Sequence, residues 1–163
     1  MTFCFAQQYD EIDAQVDPLS GLIEVKQLFT YTNESSTALD TLYLYDWNHA
    51  YSDTSTPLAS KLAQEFNFKF EKSKSDEKGN TKIHEFRTTQ YNLDWHRLEK
   101  QKDIVAIHLT HPIQPQDSIL FSASYVLNLP ADDFTGYGID NINEISFRNG
   151  FLQFVNQDFE GHW

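Results

Sequence analysis

The six histidines are the first side chains to consider as ligands of a zinc ion. Two histidines bind one zinc when they share a face, at helical i, i+4 spacing or at i, i+2 on a strand. His108 and His111 are three apart in a predicted strand, so their side chains should point to opposite faces, while His84 and His96 lie on separate segments. Because no short spacing supplies three convergent ligands, the sequence predicts no metal ligand and no cofactor in this chain.

Other catalytic chemistry has equally little support in the residue pattern. There is no G-x-S-x-G motif, and Cys4 lies near the terminus with no histidine close to it in sequence. Residues 140–144 resemble an EF-hand loop, but Ile142 occupies a position that needs an oxygen ligand. Carboxylate pairs that could cleave glycosides arise by chance among 24 acidic residues. We therefore predict no catalytic residue, and a small glycosidase-like enzyme stays a third hypothesis.

One segment, residues 46–51, combines side chains that could bind a ligand. Trp47 offers a ring for stacking, and Asn48, His49 and Tyr51 offer hydrogen-bonding groups. Such a mixture suits sugars, peptide backbones or a partner surface. The alternative is that Trp47 fills the edge of the fold and Asn48 caps a turn, and this structural interpretation is the one we favour.

The last thirteen residues are rich in aromatic and apolar side chains, among them Phe154 and Trp163. These side chains could form an exposed patch that meets another domain, and Trp163 would then be a contact residue. The alternative is that Trp163 packs into the core of its own domain.

The composition is that of one globular domain. The chain has 163 residues, 40% of them apolar and 15% aromatic, which is enough for a hydrophobic core. A net charge of −12 would repel a phosphate backbone or an anionic membrane surface, so we predict no nucleic-acid partner. No apolar run approaches the ~20 residues of a membrane helix, and no membrane span is predicted. The single cysteine excludes an internal disulfide.

Residues 1–8 can be interpreted in two ways. Small residues at Cys4 and Ala6, after the apolar Phe3, resemble the end of a signal peptide with cleavage after Ala6. That interpretation predicts a gene that begins upstream and an exported protein, periplasmic or secreted. The alternative is an ordinary first strand with Phe3 and Phe5 facing inward. Residues 9–163 are predicted to form a single β-sandwich domain that is a fragment of a longer chain.

Apolar and polar residues alternate in most of the remaining segments, which is typical of half-buried β-strands. Residues 23–32 place four apolar side chains on one face, namely Ile23, Val25, Phe29 and Tyr31. Residues 42–45 are apolar on both faces, which predicts a strand covered on both sides. With about nine strands separated by turn signals, the sequence predicts an all-β fold, an antiparallel two-layer sandwich.

One helix is predicted to pack against this sandwich. Thr56 suits the N-cap and Pro57 the first helical position. Apolar side chains then recur at every fourth residue, through Leu58, Leu62, Phe66 and Phe70. The polar stretch at residues 71–80 is predicted to be a solvated loop.

Three stretches of the chain carry a family resemblance. The first covers residues 12–35 and turns at Gly21 before the letters YTNES; the second covers residues 39–51. The third joins residues 109–115 and 125–130 to the letters FTGYG at 134–138. In this order they resemble the N-terminal β domain of the bacterial members of the aminopeptidase N family, the gluzincin zinc metallopeptidases. Family members often have an arginine where Thr135 or Gly136 stands, so the resemblance is to a divergent branch.

The resemblance implies a saddle-like β domain that packs against a thermolysin-like catalytic domain and helps to wall its substrate cleft. In the family, zinc is held in that catalytic domain by H-E-x-x-H and a distant glutamate. Here His84 and Glu85 are followed by Phe86, Arg87 and Thr88, so the second histidine is missing. The resemblance thus implies a zinc aminopeptidase parent acting on peptides, and it assigns no catalytic residue to this chain.

Two functions of different classes follow. The leading hypothesis is a non-catalytic N-terminal domain of an exported zinc aminopeptidase-like protein, whose partner is the catalytic domain of the same parent. The alternative is a stand-alone β-sandwich module that binds carbohydrate or protein. Fold alone does not separate them, because sandwiches carry many functions.

Overall fold

The computed structural model describes residues 9–155. The predictions made for residues 1–8 and for Trp163 lie outside these described residues. The strands within the described part are β1 (Tyr9–Asp17), β2 (Leu22–Thr32), β3 (Leu39–Tyr45), β4 (Asn80–Arg87), β5 (Asp94–Arg97), β6 (Ile104–Ile113), β7 (Ser118–Asn128), β8 (Gly138–Ile139), β9 (Ile145–Ser146) and β10 (Gln153–Phe154).

The helical elements lie between the strands. They are the helices α1 (Pro57–Gln64) and α2 (Lys69–Lys72) and the 3₁₀ turns Asn48–Tyr51, Ser75–Glu77 and Asp132–Phe134. The stretch predicted as a solvated loop, residues 71–80, therefore begins inside α2 and contains one of the 3₁₀ turns.

The described strands form two four-stranded sheets and a small hairpin. The first sheet has the order β1-β2-β7-β4, the second sheet has the order β10-β3-β6-β5, and β8 pairs with β9. The named strands pair antiparallel throughout. This confirms the prediction of an all-β, antiparallel, two-layer sandwich with helix packed against it.

The core lies between the two sheets and is rich in aromatic rings. Phe29 of β2 stacks on Phe121 of β7 within the first sheet, with ring centroids 5.0 Å apart. Phe154 of β10, in the second sheet, meets Phe29 edge-on at 5.4 Å. All four side chains predicted to share the inner face of β2 are buried. Alternation along the strands therefore identified the buried face, because successive side chains in a strand point to opposite sides.

The prediction that β3 is covered on both sides is wrong. Leu42 and Leu44 are fully buried, whereas Tyr45 is 48% exposed. Tyr43 is half-buried. Tyrosine tolerates such a surface because its apolar ring carries a polar hydroxyl, so the aromatic letters did not indicate a second covering layer.

The predicted helix ends earlier than the apolar repeat indicated. The Thr56 hydroxyl accepts a hydrogen bond from the Ala59 N–H at 3.3 Å, which confirms the N-cap, but α1 ends at Gln64. Phe66 follows with φ of +59°, and its side chain is 83% exposed. The Phe66 and Asn67 N–H groups bond the carbonyls of Ala63 and Leu62, which is a Schellman ending. Phe70, the last member of the repeat, is buried, but it belongs to the separate helix α2.

The first strand extends beyond the cover of the second sheet. Residues 10–17 of β1 are all exposed. Ile12, Ala14 and Val16 pair with Gln27, Val25 and Ile23 of β2, which are buried. Directly opposed residues share a face of the sheet. The apolar side of β1 is therefore a continuation of the core face that the described residues leave uncovered.

Replacing Phe66 by glycine should stabilise the protein. A left-handed backbone costs a residue with a Cβ about 1 kcal/mol, which glycine does not pay, and the exposed ring contributes little burial. We expect Phe66→Gly to raise the free energy of unfolding in urea by about 0.5–1 kcal/mol. Phe66→Ala, which keeps the Cβ, is the control and should leave it nearly unchanged. A loss of stability in the glycine variant would contradict this account of the helix end.

Candidate functional site

A buried carboxylate organises the segment that follows β3. Asp46 is fully buried, and its Oδ2 accepts a hydrogen bond from Arg97 Nη2 of β5 at 2.7 Å. Its Oδ1 accepts the Thr81 hydroxyl of β4 at 2.6 Å and the His49 N–H at 3.2 Å. The Arg97 guanidinium also donates to the Thr81 carbonyl at 3.2 Å. These four residues, which we call the Asp46 clamp, join the first sheet to the second.

Asn48 extends this connection. It is fully buried, and its amide nitrogen donates to the carbonyls of Asn80, at 2.7 Å, and Asn128, at 3.1 Å. Its amide oxygen accepts the hydroxyl of Tyr137 at 3.1 Å. One side chain thus ties the start of β4, the end of β7 and the loop before β8 to the 3₁₀ turn. A buried asparagine with its groups paired in this way holds structure and is not available to a ligand.

His49 is held neutral within the same cluster. Burial and the nearby Arg97 guanidinium lower the pKa of its imidazole from 6.5 to about 4. The Nδ1 atom accepts the Thr81 N–H at 3.3 Å, a contact that requires the unprotonated form. Neighbouring Asp103 has the opposite shift, because burial raises the pKa of its carboxyl. Its Oδ1 has no hydrogen-bond partner among residues 9–155.

Tyr51 and Trp47 belong to a row of aromatic rings beside the clamp. Tyr51 is fully buried and stacks on Tyr137, with centroids 5.5 Å apart and planes at 26°. Trp47 meets Tyr51 edge-on at 5.7 Å and is 38% exposed. The Tyr51 hydroxyl bonds the Thr135 hydroxyl at 2.5 Å, and burial raises the pKa of Tyr51 and that of Tyr137. The rings are therefore fixed in place and neutral.

These rings form the floor of a cleft of about 350 Å³, which we call the aromatic cleft. Its rim is built by chain segments from distant parts of the sequence. The lining residues are Tyr45, Trp47, Tyr51, Thr135, Gly136, Tyr137, Arg148, Asn149 and Gln153. Gln153 of β10 lies directly opposite Tyr45 of β3, so both side chains project from the outer face of the second sheet.

The structure separates the residues that the sequence grouped together. Trp47 and Tyr51 line the aromatic cleft, whereas Asn48 and His49 point into the polar cluster and make structural hydrogen bonds. Trp163 lies outside the described residues. Sequence reasoning missed Tyr45, Arg148 and Gln153, because Tyr45 lies about 100 positions from the other two and the pairing of β10 with β3 has no local signal.

The histidines offer one arrangement that the sequence did not indicate. The rings of His96 and His108 stack at 5.0 Å on neighbouring strands β5 and β6, with Nε2 of His108 3.1 Å from Nδ1 of His96. Within residues 9–155, no three histidine, cysteine or acidic side chains lie close enough together to hold a metal ion. The calcium-like stretch is a hairpin turn, in which the Asp140 carboxylate accepts the Ile142 and Glu144 N–H groups.

Comparison with models of known protein families gives no match, and comparison with curated proteins gives none either. Within the described part of the chain, no helix has the length and apolar character that crossing a membrane requires.

Stability should fall as the solution is acidified through the titration of His49. Its pKa is about 4 in the fold and near 6.5 when unfolded, so between these values the unfolded chain binds the extra proton. The contribution of neutral His49 to the free energy of unfolding is present above pH 6.5 and is lost as the pH falls towards 4. The loss is on the order of 1–3 kcal/mol. Urea unfolding at several pH values should show a flatter dependence for His49→Gln than for the wild type. His84→Gln, at an exposed histidine, should keep the wild-type slope; equal slopes in all three proteins would contradict the assignment.

Proposed function

We propose that this chain is a non-catalytic N-terminal domain of an exported, zinc aminopeptidase-like protein of the aminopeptidase N family. In this proposal it packs on a catalytic domain of the same parent and shapes the cleft in which peptides are cleaved. The zinc belongs to that catalytic domain and not to this chain. Export is supported by the pattern around Cys4 and Ala6, and the family by the order of the three resembling stretches.

The uncovered apolar face of β1 is the observation that carries the proposal. Val16 is 52% exposed on the side of the first sheet that elsewhere forms the core, and Ile12 and Ala14 lie beside it. Leu19, in the turn after β1, is exposed as well. A strand that continues a core face beyond its covering sheet is suited to pack against a further domain, because burial there removes apolar surface from water.

The apolar face of β1 has one acidic residue at its end. Asp10 pairs with the buried Phe29 and so shares the face of Ile12, whereas Glu11, Asp13 and Asp17 alternate onto the opposite face of the sheet. Interfaces between domains of one chain are more polar than obligate subunit interfaces, so an apolar centre with charged neighbours fits that class. The surface that covers this face should therefore be mainly apolar, with a basic or hydrogen-bonding group opposite Asp10.

A second observation supports the family assignment. The three stretches that carry the resemblance meet at one end of the sandwich. Gly21, whose φ is +68°, accepts the Leu129 N–H through its carbonyl at 3.1 Å. Asn48, from the second stretch, binds both Asn128 and Tyr137 from the third. Residues that resemble one family are thus the residues that build one connected structural unit.

The aromatic cleft favours the alternative function. A preformed concave site with exposed rings and polar side chains is what a self-sufficient carbohydrate- or protein-binding module needs. The two functions use different surfaces, since the cleft lies on the outer face of the second sheet and the uncovered strand lies at the edge of the first.

The proposal predicts that β1 is an interface only in the longer protein. Val16→Lys should change the unfolding free energy of the isolated chain by less than about 0.5 kcal/mol, because the side chain is exposed. In the product of the whole natural gene, the same change should destabilise the contact between domains and lower the thermal unfolding temperature by several degrees.

Leu120→Lys is the matched control. Leu120 is 48% exposed, close to the value for Val16, but lies on the outer face of the first sheet. Leu120→Lys should change stability by the same amount in the isolated chain and in the product of the whole gene. Equal effects of both variants in the long protein, or a gene without H-E-x-x-H downstream of Trp163, would contradict the proposal.

A further inference from the structure

We propose that the aromatic cleft binds a small saccharide that carries a carboxylate, of the uronic acid class. This inference does not depend on the proposed scaffold function, because it rests on the outer face of the second sheet and not on β1. Four properties of the cleft support it: a rigid floor, two exposed rings, unused polar side chains and a single positive charge.

The floor is preorganised. Tyr51 and Tyr137 are buried and stacked, and their hydroxyls are already bonded to Thr135 and Asn48. Asn48 is in turn fixed by the carbonyls of Asn80 and Asn128. A ligand entering the cleft therefore meets rings that need no reordering, which lowers the entropic cost of binding.

The walls present two aromatic rings to solvent. Trp47 and Tyr45 are exposed by 38% and 48%, although both are large and partly apolar. Exposed rings that border a concave site are suited to stack on flat apolar surfaces, and the C–H faces of a pyranose ring are such a surface. Tyr45 is anchored by its strand and Trp47 by its edge contact with Tyr51, so the two rings hold a defined relation.

The rim supplies hydrogen-bonding groups that the described part of the fold does not use. The side chains of Arg148, Asn149 and Gln153 line the cleft and form no side-chain hydrogen bond or ion pair with any residue from 9 to 155. Amide side chains can both donate to and accept from hydroxyl groups. Saccharide hydroxyls need partners of this kind at the edges of the ring that they surround.

Arg148 gives the cleft its preference for an acid. Among the described residues that line the cleft it is the only basic one, whereas Arg97 is committed to Asp46 elsewhere. A guanidinium matches a carboxylate through two parallel hydrogen bonds. The net charge of −12 opposes long polyanions, so the ligand should carry few carboxylates.

Size and backbone favour a saccharide over a peptide. A cleft of about 350 Å³ lies at the small end of the range for ligand sites, which suits one or two sugar rings. An extended peptide would gain most from pairing with a strand edge. The strand at this rim, β10, has only two residues, Gln153 and Phe154, and so offers little edge for such pairing.

Calorimetric titration with two matched disaccharides tests the inference. Digalacturonic acid should bind with a sub-millimolar Kd. Galactobiose, which lacks the carboxylates, should bind at least tenfold more weakly, because it cannot form the charged hydrogen bonds to Arg148. Arg148→Gln should weaken the binding of digalacturonic acid about tenfold and leave the binding of galactobiose unchanged. Trp47→Ala should weaken the binding of both disaccharides, since it removes the stacking surface.

Arg87→Gln is the control, because Arg87 is exposed on β4 and lies outside the cleft lining. Urea unfolding of each variant separates lost binding from lost structure, and Arg148→Gln, at an exposed side chain without a partner in the described part, should unfold like the wild type. Absence of saturable binding at millimolar digalacturonic acid overturns the inference. So does equal binding of galactobiose, or tighter binding of a short peptide with a terminal carboxylate.

Discussion

The rest of the structure depends on one buried carboxylate. Asp46 leaves water completely and is balanced by the Arg97 guanidinium and the Thr81 hydroxyl. Arg97 belongs to the second sheet and Thr81 to the first, so a single side chain fixes how the layers meet at this end. A buried ion pair is a weak source of net stability, since desolvation offsets most of its attraction. Its value here is geometric, because the carboxylate accepts hydrogen bonds from a strand of each sheet at once.

That geometry passes from the clamp to the surface in two steps. The 3₁₀ turn Asn48–Tyr51 starts from Asp46, whose carboxylate receives the His49 N–H. Asn48 then fixes the loop that contains Tyr137, and Tyr51 stacks on that ring. The aromatic cleft is thus built on polar contacts that lie beneath it. The polar cluster and the cleft form one unit, with the hydrogen-bonding groups inside and the rings outside.

The sequence predicted what local periodicity controls. The sandwich, the buried face of β2 and the cap at Thr56 follow from alternation and capping chemistry. The sequence placed Phe66 inside the helix, because the four-residue apolar repeat continues after the helix has ended. In the structure Phe66 is the left-handed residue that follows the helix. Gln27 has the parity of the inner face of β2, but its hydrogen-bond partners were not predictable, since the Tyr125 hydroxyl at 2.6 Å and the Leu152 carbonyl at 2.9 Å are remote in sequence. Trp47 and Tyr51, which the sequence analysis named as possible contact residues, lie in the lining of the cleft, and its other wall depends on strand pairing across about 100 residues.

A double-mutant cycle between Asp46 and Arg97 measures the clamp most directly. Unfolding free energies of Asp46→Ala, Arg97→Ala and the double variant give the coupling between the two side chains. We expect large losses in each single variant, about 3 kcal/mol, and a coupling above about 1.5 kcal/mol, because removing either partner leaves a buried charge unpaired. Additive losses would contradict this expectation, since they would mean that the two side chains act independently and that no clamp joins the sheets.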